Sequence, residues 1–207
     1  MRRIETLDDV AEGAAWLAGR DPRMAAALAA TGPLPLRRRG DGFAALQGAI
    51  ISQQVSVAAA HAISARCRAA GITGPRKVMW ASDDELRACG LSRQKIRYLR
   101  ALAAARIDWR ALREASTEGV VATLVEVPGI GRWTAEIYAM FSLGHADVFA
   151  PGDLALQEAV RLLHGRDLRP TERELRAMAD TWSPWRAVAA RLLWAYYHVA
   201  KDREGVA

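Results

Sequence analysis

Apolar positions recur along this chain at the spacing of amphipathic helices, whereas runs of β-branched residues are scarce. Alanine, leucine and arginine dominate, and all three favour helix. Capping residues and Gly/Pro turns divide the pattern into segments. Helices are predicted over residues 7–18, 22–31, 43–70, 77–80, 83–89, 92–107, 117–125, 132–143 and 153–164. The segment 43–70 is expected to break near 52–56. Two further helices are predicted, one after a capping box at 171–174 and one from 183 to about 200. The pattern therefore predicts an all-α fold, a compact array of about ten helices.

The chain shows neither a tandem repeat nor a low-complexity linker, and 207 residues suffice for one sizeable core or two small ones. We therefore expect residues 1–207 to form a single unit of two helical subdomains with a cleft between them. No apolar run approaches the roughly 20 residues that a membrane-spanning helix needs. The first residues lack the apolar core of a signal peptide, so the sequence predicts a cytoplasmic protein without a membrane partner.

Positive charge exceeds negative charge along the chain. The formal net charge is +6, the sequence pI is about 9.9, and nearly all the basic residues are arginine. A basic, compact chain is consistent with a polyanionic partner such as a nucleic acid. Arginine on solvated helix faces explains the same excess equally well, so the charge alone leaves both interpretations open.

Cysteine and histidine do not predict a metal centre. The two cysteines, Cys67 and Cys89, are too few for a four-thiolate iron–sulfur cluster. The four histidines lack the spacing of metal ligands, both among themselves and with the cysteines. Because both cysteines lie in alanine-rich helical segments, we expect buried free thiols rather than a disulfide.

The most informative segment is Leu-Val-Glu-Val-Pro-Gly-Ile-Gly-Arg-Trp-Thr-Ala at 124–135. Gly129 and Gly131, separated by one residue, allow a tight hairpin between two helices and a close approach of the backbone to another molecule. The next helix begins at once, so its free N–H groups point outward and can bind an anion such as phosphate. A plain helix–helix turn has the same composition, so this segment alone does not decide the function.

Four further motifs accompany the hairpin in a fixed order: Ile-Ser-Gln-Gln-Val-Ser at 51–56, Gly-Leu-Ser-Arg-Gln-Lys at 90–95, Asp-Val-Phe-Ala-Pro-Gly-Asp at 147–153, and Trp-Ser-Pro-Trp-Arg at 182–186. Together the five resemble the helix-hairpin-helix, Gly/Pro-then-Asp (HhH-GPD) superfamily of DNA glycosylases, and within it the 3-methyladenine DNA glycosylase II family. The resemblance covers roughly residues 43–197. It implies a DNA-binding cleft, double-stranded DNA with a damaged base as the partner, and a monomeric enzyme.

The family relation implies a monofunctional N-glycosylase that excises alkylated purines, of the 3-methyladenine and 7-methylguanine type, in base excision repair. Asp153, in the Pro-Gly-Asp segment 151–153, matches the family's catalytic aspartate. Breaking an N-glycosidic bond builds positive charge on the sugar, and a carboxylate beside it stabilises that charge. A helix start also stabilises a negative charge. A plain helix N-cap would explain Asp153 without catalysis, and the two roles can coexist.

An alkylated purine is already cationic, so it leaves as a neutral molecule and a second catalytic acid is dispensable. An electron-rich aromatic pocket would attract that cation by roughly 0.5–2 kcal/mol. Trp133 and Trp194 match pocket positions of the family, and Ile137 takes a position that is aromatic in some relatives. Trp185 and Tyr138 are further pocket candidates, for which ordinary core packing is an equal alternative.

The family relation also implies the DNA contacts. The backbone around Gly129 and Gly131 would clasp phosphates, and Gln54, with Gln53 beside it, aligns with the wedge that fills the gap left by a flipped base. Some relatives have an apolar wedge there, and a polar helix break is the competing interpretation for Gln54. The candidate phosphate contacts, for which a solvated surface is the competing interpretation, are Arg93, Lys95, Arg132 and Thr134. The family often holds a monovalent cation, Na⁺ or K⁺, at the hairpin, and by alignment its ligands would be the main-chain carbonyls of Val125, Val127 and Ile130.

The sequence differs from two groups of relatives, and these differences narrow the expected activity and domain content. Bifunctional relatives such as endonuclease III carry a Schiff-base lysine where this chain has Trp133, so we expect no lyase step and no required cofactor. Some relatives also carry a sheet domain before the helical core, whereas the residues before Phe43 are predicted to be helical. That sheet domain is therefore expected to be absent.

Two alternatives stay open. A non-catalytic helix-hairpin-helix module would bind DNA without cutting a glycosidic bond. A glycosylase for uracil, hypoxanthine or an oxidised purine would keep the reaction but need polar contacts to a neutral base.

Overall fold

The structure, a computed structural model, describes residues 1–204, with side chains to residue 201. Its helices are α1 Leu7–Ala18, α2 Pro22–Thr31, α3 Phe43–Ser52, α4 Val57–Ala69, α5 Pro75–Trp80, α6 Asp83–Ala88, α7 Arg93–Ala104, α8 Trp109–Glu114, α9 Thr117–Val125, α10 Arg132–Phe141, α11 Leu154–Leu163, α12 Glu172–Ala179 and α13 Arg186–Glu204, with a short 3₁₀ helix at Asp180–Trp182. Within the described range, extended pairing is limited to one bridge between Arg3 and His145. The all-α prediction is confirmed.

The sequence pattern underestimated the number of helices and misplaced some ends. Thirteen α-helices are present in the described part, against about ten predicted. The six-residue helix α8 was not predicted; Asp108 holds its start by accepting the N–H groups of Arg110 and Ala111, both at 3.0 Å. The last helix begins at Arg186 rather than 183. Short helices carry too few residues to show a period, so their caps are the only local signal.

Of the described residues, the first compact unit contains 1–38 and 139–204, and α13 is its central helix. Helix α13 packs against α1, α2 and α11. Where α1 meets α13, a Cβ at Gly13 would lie 2.6 Å from Val188 and 2.7 Å from the Trp185 ring, so only glycine fits there. The N–H of Ile4 donates to the carbonyl of Gly144 at 2.7 Å, which fixes the N-terminal segment in this unit.

The second unit contains residues 39–138, and α7 is central to it, packing against α3, α5 and α6. The phenol oxygen of Tyr138 accepts the N–H of Gly42 at 2.9 Å. Cys67 and Cys89 are both buried and free, as predicted, and burial, reinforced by the neighbouring Cys89, raises the pKa of Cys67 to about 11. Helix α10 begins in this unit and ends in the first. Among the described helices, none combines the length and the apolar character that crossing a membrane would require.

Candidate active site and hairpin

Asp153 lies at the N-terminal tip of α11, where it caps the helix. Its Oδ1 accepts the backbone N–H groups of Ala155 at 2.9 Å and Leu156 at 3.1 Å. The same oxygen accepts the indole Nε1–H of Trp194 at 3.2 Å. These three donors fix the orientation of a half-buried carboxylate at the positive end of a helix dipole.

The preceding turn presents Asp153 at the helix start. The N–H of Asp153 donates to the carbonyl of Ala150 at 3.0 Å, closing the Pro-Gly turn. The side chain of Gln157, one turn into α11, donates to the carbonyl of Pro151 at 2.9 Å. Proline and glycine supply the turn, aspartate supplies the cap, and the following apolar residues bury one face of α11.

Trp194 is held on its other side by a cluster that sequence reasoning missed. Its ring lies 5.7 Å from the ring of Phe141, centroid to centroid, and the guanidinium of Arg191 lies 4.8 Å from that same Phe141 ring. Arg191 is 1% exposed and donates to the carbonyls of Leu36 and Ala187. One signal could have indicated this cluster: Arg191 interrupts an otherwise apolar run from Ala187 to Trp194 in the last helix.

Burial sets the electrostatics of Arg191. Loss of solvent around the guanidinium, followed by repulsion from Arg37 and Arg38, lowers the pKa of Arg191 to about 10. The group therefore stays charged near neutral pH. Its guanidinium contacts the carbonyl oxygens of Leu36 and Ala187 and the face of the Phe141 ring.

The other predicted pocket residues divide into core and surface positions. Trp185 is 2% exposed, with its ring against Gly13 and beneath the Arg2 guanidinium, so it is a core residue with no face left for a base. Tyr138 is 4% exposed and anchors Gly42, so it is also a core residue. Trp133 is 47% exposed. Ile137, one turn later on α10, is half-buried.

The predicted hairpin is present between α9 and α10. The N–H of Val127 donates to the carbonyl of Leu124 at 3.1 Å, and the N–H of Ile130 donates to the carbonyl of Val127 at 3.0 Å. Gly129 has φ +92°, the left-handed region that favours glycine. A Cβ at Gly131, in contrast, would meet no atom within 4 Å. The protein therefore leaves open space beside residue 131, directly before the first turn of α10.

The segment that follows α3, residues 53–56, is bonded to the hairpin by the side chain of Gln53. Gln53 Nε2 donates to the carbonyl of Gly129 at 2.8 Å. Gln54 is exposed and has φ +56°, a conformation that costs a residue other than glycine about 1–3 kcal/mol. Val55 and Val57 are exposed beside it. The structure thus places an exposed, strained Gln54 directly after a residue bonded to the hairpin.

The four candidate phosphate contacts do not share one environment. Arg93 is exposed at the start of α7. Arg132, also exposed, pairs with the buried carboxylate of Glu136 at 3.0 Å. Thr134 is 9% exposed and Lys95 is 8% exposed, so the solvated surface that the sequence left open is wrong for these two.

Lys95 has a definite partner in the protein. Its Nζ donates to the carbonyl of Ile51 at 2.7 Å, in the last turn of α3. A cation is favourable at that end of a helix, where carbonyls lack backbone partners. Burial lowers the pKa of Lys95 below the usual value for lysine. Lys95 therefore caps α3 and ties it to α7.

A cluster of three or more histidine, cysteine or acidic side chains suited to a metal ion does not occur among the residues that the structure describes.

These observations define an all-helical protein with a Gly-x-Gly hairpin and a carboxylate at a helix tip. The family model of the HhH-GPD superfamily base excision DNA repair proteins matches residues 48–186. The chain belongs to this superfamily, as the motifs predicted.

Relatives within the superfamily resemble the chain over most of its length. DNA-3-methyladenine glycosylase 1 of Schizosaccharomyces pombe is 32% identical over 155 residues, covering 70% of this chain and 68% of the relative. A crystal structure of DNA-3-methyladenine glycosidase from Bacillus halodurans is 30% identical with a TM-score of 0.82, covering 98% of this chain and 95% of the other. The S. pombe 3-methyladenine DNA glycosylase bound to abasic DNA is 29% identical with a TM-score of 0.77, covering 88% and 95%.

Proposed function

We propose that this chain is a monofunctional DNA N-glycosylase that removes alkylated purines, of the 3-methyladenine and 7-methylguanine type, from double-stranded DNA. The observation that carries the proposal is the Asp153 carboxylate, oriented at the tip of α11 by two backbone N–H groups and the Trp194 indole. The relatives named above, one of them bound to abasic DNA, support the same reaction.

The proposed reaction is a hydrolysis at the anomeric carbon. The C1′–N bond breaks and its electron pair leaves with the purine, which is cationic before cleavage and neutral after it. The sugar is left with positive charge, which the Asp153 carboxylate stabilises electrostatically. Water adds to C1′ and loses one proton, for which the same carboxylate is an acceptor. The products are free base and an intact abasic strand.

Selectivity for alkylated purines follows from the cationic leaving group. The base needs no protonation, so one carboxylate suffices. The Trp194 ring, fixed beside Asp153 by its own N–H bond, adds an electron-rich face close to the reacting sugar. A lyase step would need an amine nucleophile, and the position that carries it in endonuclease III is Trp133 here.

DNA binding is assigned to the hairpin and its surroundings. The open space beside Gly131 lets a phosphate approach the backbone, where the first turn of α10 offers N–H groups. Arg93 and Arg132, both exposed, add positive charge. Gln54 is the wedge candidate, because it is exposed and directly follows Gln53, which is bonded to the hairpin. Lys95 and Thr134 support these contacts from buried positions.

The hairpin has main-chain oxygen atoms that suit a monovalent cation. The carbonyl of Val127 accepts the N–H of Ile130 at 3.0 Å, and a carbonyl oxygen with two lone pairs keeps capacity for a second partner. Val125, Val127 and Ile130 would supply the main-chain oxygens that hold Na⁺ or K⁺. Such an ion would add positive charge for a phosphate and takes no part in bond cleavage.

The test of the proposal is base release from methylated duplex DNA by the wild type and Asp153→Asn. Asparagine caps a helix as well as aspartate does, so the variant should fold and bind DNA normally. Without the negative charge, release should fall by at least about 100-fold. Asp108→Asn is the matched control, because Asp108 caps α8 through the same pair of backbone bonds. It should release base at the wild-type rate.

Two outcomes would contradict the proposal. Equal release by wild type and Asp153→Asn would remove the carboxylate from the mechanism. DNA binding without release from any duplex in a panel of single lesions, including uracil, hypoxanthine and an oxidised purine, would indicate a binding module.

A further inference from the structure

Four side chains of the second unit form a ridge beside the hairpin: Gln53, Gln54, Gln94 and Tyr98. Two surface cavities share this ridge as a wall. One, of about 490 Å³, is also lined by residues 127–131 of the hairpin. The other, of about 290 Å³, is also lined by Ser92 and Lys95. The ridge therefore lies at the surface, directly against the main chain of the turn.

Tyr98 supports the turn at Gly129. A Cβ at Gly129 would lie 2.3 Å from Cγ of the Tyr98 ring, so the ring packs directly on the glycine Cα. The phenol oxygen of Tyr98 accepts the side-chain N–H of Gln94 at 2.7 Å, one turn earlier on α7, and this bond limits rotation of the ring. Residue 129 must be glycine both for its φ of +92° and for this contact.

Gln53 holds the same residue from another side. Its amide donates to the carbonyl of Gly129 at 2.8 Å, while the Tyr98 ring covers the Cα. The next residue, Gln54, is the strained and exposed one. A displacement of the turn therefore moves Gln53, and the backbone of Gln54 must follow because the two are adjacent.

We propose that Gln53 and Tyr98 are positioning residues that couple the hairpin to Gln54. A DNA strand held by its phosphates at the turn would then present its base stack at a fixed distance from the wedge. This inference rests on the proposed function, in which the hairpin binds phosphate and Gln54 enters the duplex. It changes Gln53 from the DNA contact that the sequence predicted to a residue that acts through Gly129.

The central variant is Gln53→Met, which keeps the side-chain size and removes the donor. Two measurements are needed: single-turnover excision from a duplex with one 7-methylguanine, and fluorescence of 2-aminopurine placed beside that lesion, which reports unstacking. Excision should slow roughly 10- to 100-fold, since a misplacement of about 1 Å can have an effect of that size. The fluorescence rise should be lost in parallel.

Gln47→Met is the matched control. Gln47 lies on α3, which ends directly before Gln53, and its side-chain amide likewise donates to a backbone carbonyl, that of Ile72 at 2.9 Å, outside the ridge. Both variants should lower Tm similarly, but only Gln53→Met should lose the fluorescence signal. Tyr98→Ala should behave as Gln53→Met does, and Tyr98→Phe, which keeps the ring on Gly129, should regain most of the rate.

Coupling also predicts non-additivity between neighbours. Gln54→Ala should slow excision in the wild type but by less than about twofold in the Gln53→Met background, because the wedge is already misplaced. Additive effects, or a Gln53→Met rate equal to that of Gln47→Met, would overturn the inference.

Failure of the proposed function can be distinguished experimentally from failure of this inference. If the wild type released no base, the same variants would be compared by Kd and 2-aminopurine fluorescence on undamaged duplex, which need no catalysis. Loss of affinity in Gln53→Met but not in Gln47→Met would then still support the positioning role. In that case, equal Kd and equal fluorescence for the two variants would overturn it.

Discussion

The oxygen Oδ1 of Asp153 accepts two N–H groups from the first turn of α11 and one from Trp194. The backbone pair is what an N-cap aspartate ordinarily makes, and Asp108 makes it too. The indole bond is different, because it comes from a residue 41 positions later in the sequence. In the proposed function Asp153 both caps α11 and stabilises the sugar cation, and the indole bond is what separates it from an ordinary N-cap such as Asp108.

At the scale of single residues, Trp194→Phe tests whether the indole N–H orients the Asp153 carboxylate. It removes the N–H donor but keeps a ring to pack on Phe141. Loss of one hydrogen bond to a charged group corresponds to about 1.5–3 kcal/mol, so single-turnover excision should slow roughly 10- to 150-fold. Trp182→Phe, a buried tryptophan against Phe149, is the control and should keep the wild-type rate. Equal rates for both variants would show that the indole N–H does not orient the carboxylate.

At the scale of elements, the two hairpin glycines have different reasons to be glycine. Gly129 is required by the protein itself, since its φ is +92° and the Tyr98 ring occupies the place of a Cβ. A Cβ at Gly131 would meet nothing in the chain. The sequence shows the two as equivalent members of a Gly-x-Gly motif, and the fold separates a structural glycine from one that leaves room for a partner.

Alanine at each position should therefore give opposite results. Gly129→Ala should lower the free energy of unfolding by about 1–3 kcal/mol, a decrease in Tm of several degrees. Gly131→Ala should keep Tm within about 2 °C but weaken binding to duplex DNA about 10-fold, because the methyl group blocks the approach of a phosphate. Thermal melts and fluorescence anisotropy titrations would check both. A stable Gly129→Ala or a normally binding Gly131→Ala would contradict this division.

At the scale of the whole molecule, two properties bear on DNA binding: the net charge, and the way the chain runs through both compact units. The formal net charge of +6 gives a field that attracts a polyanion. The family match at 48–186 includes residues of both compact units, and α10 is a continuous helix that belongs to both. The matched region is therefore not confined to either unit.

The corresponding prediction is a steep salt dependence of DNA binding. The logarithm of the binding constant should fall linearly with the logarithm of salt concentration, with a slope of about −0.9 for each phosphate neutralised. Arg93→Ala should reduce the magnitude of that slope by about 1. Arg87→Ala should not, because Arg87 pairs with Asp83 and Asp84. Affinity that does not vary with salt would contradict the proposed docking.

Much of the fold followed from local signals. A cap such as Thr171 acts through the residue three positions later, so α12 and its start were readable from the sequence. The break after α3 was also predicted, and the ordered motifs identified the superfamily. Helix α8 was missed, although α5 and α6, which are equally short, were predicted. Six residues are too few to show a period, so the cap at Asp108 was the remaining local signal for α8.

The sequence by itself determined where most helices start and end, and which superfamily the chain belongs to, because both depend on residues close together in the chain. Tertiary structure alone decided that Trp185 is core while Trp194 reaches Asp153, and that Lys95 caps α3. Which face of a helix is covered, and which distant carbonyl or carboxylate a side chain meets, depends on packing between elements far apart in sequence, and no local pattern encodes it.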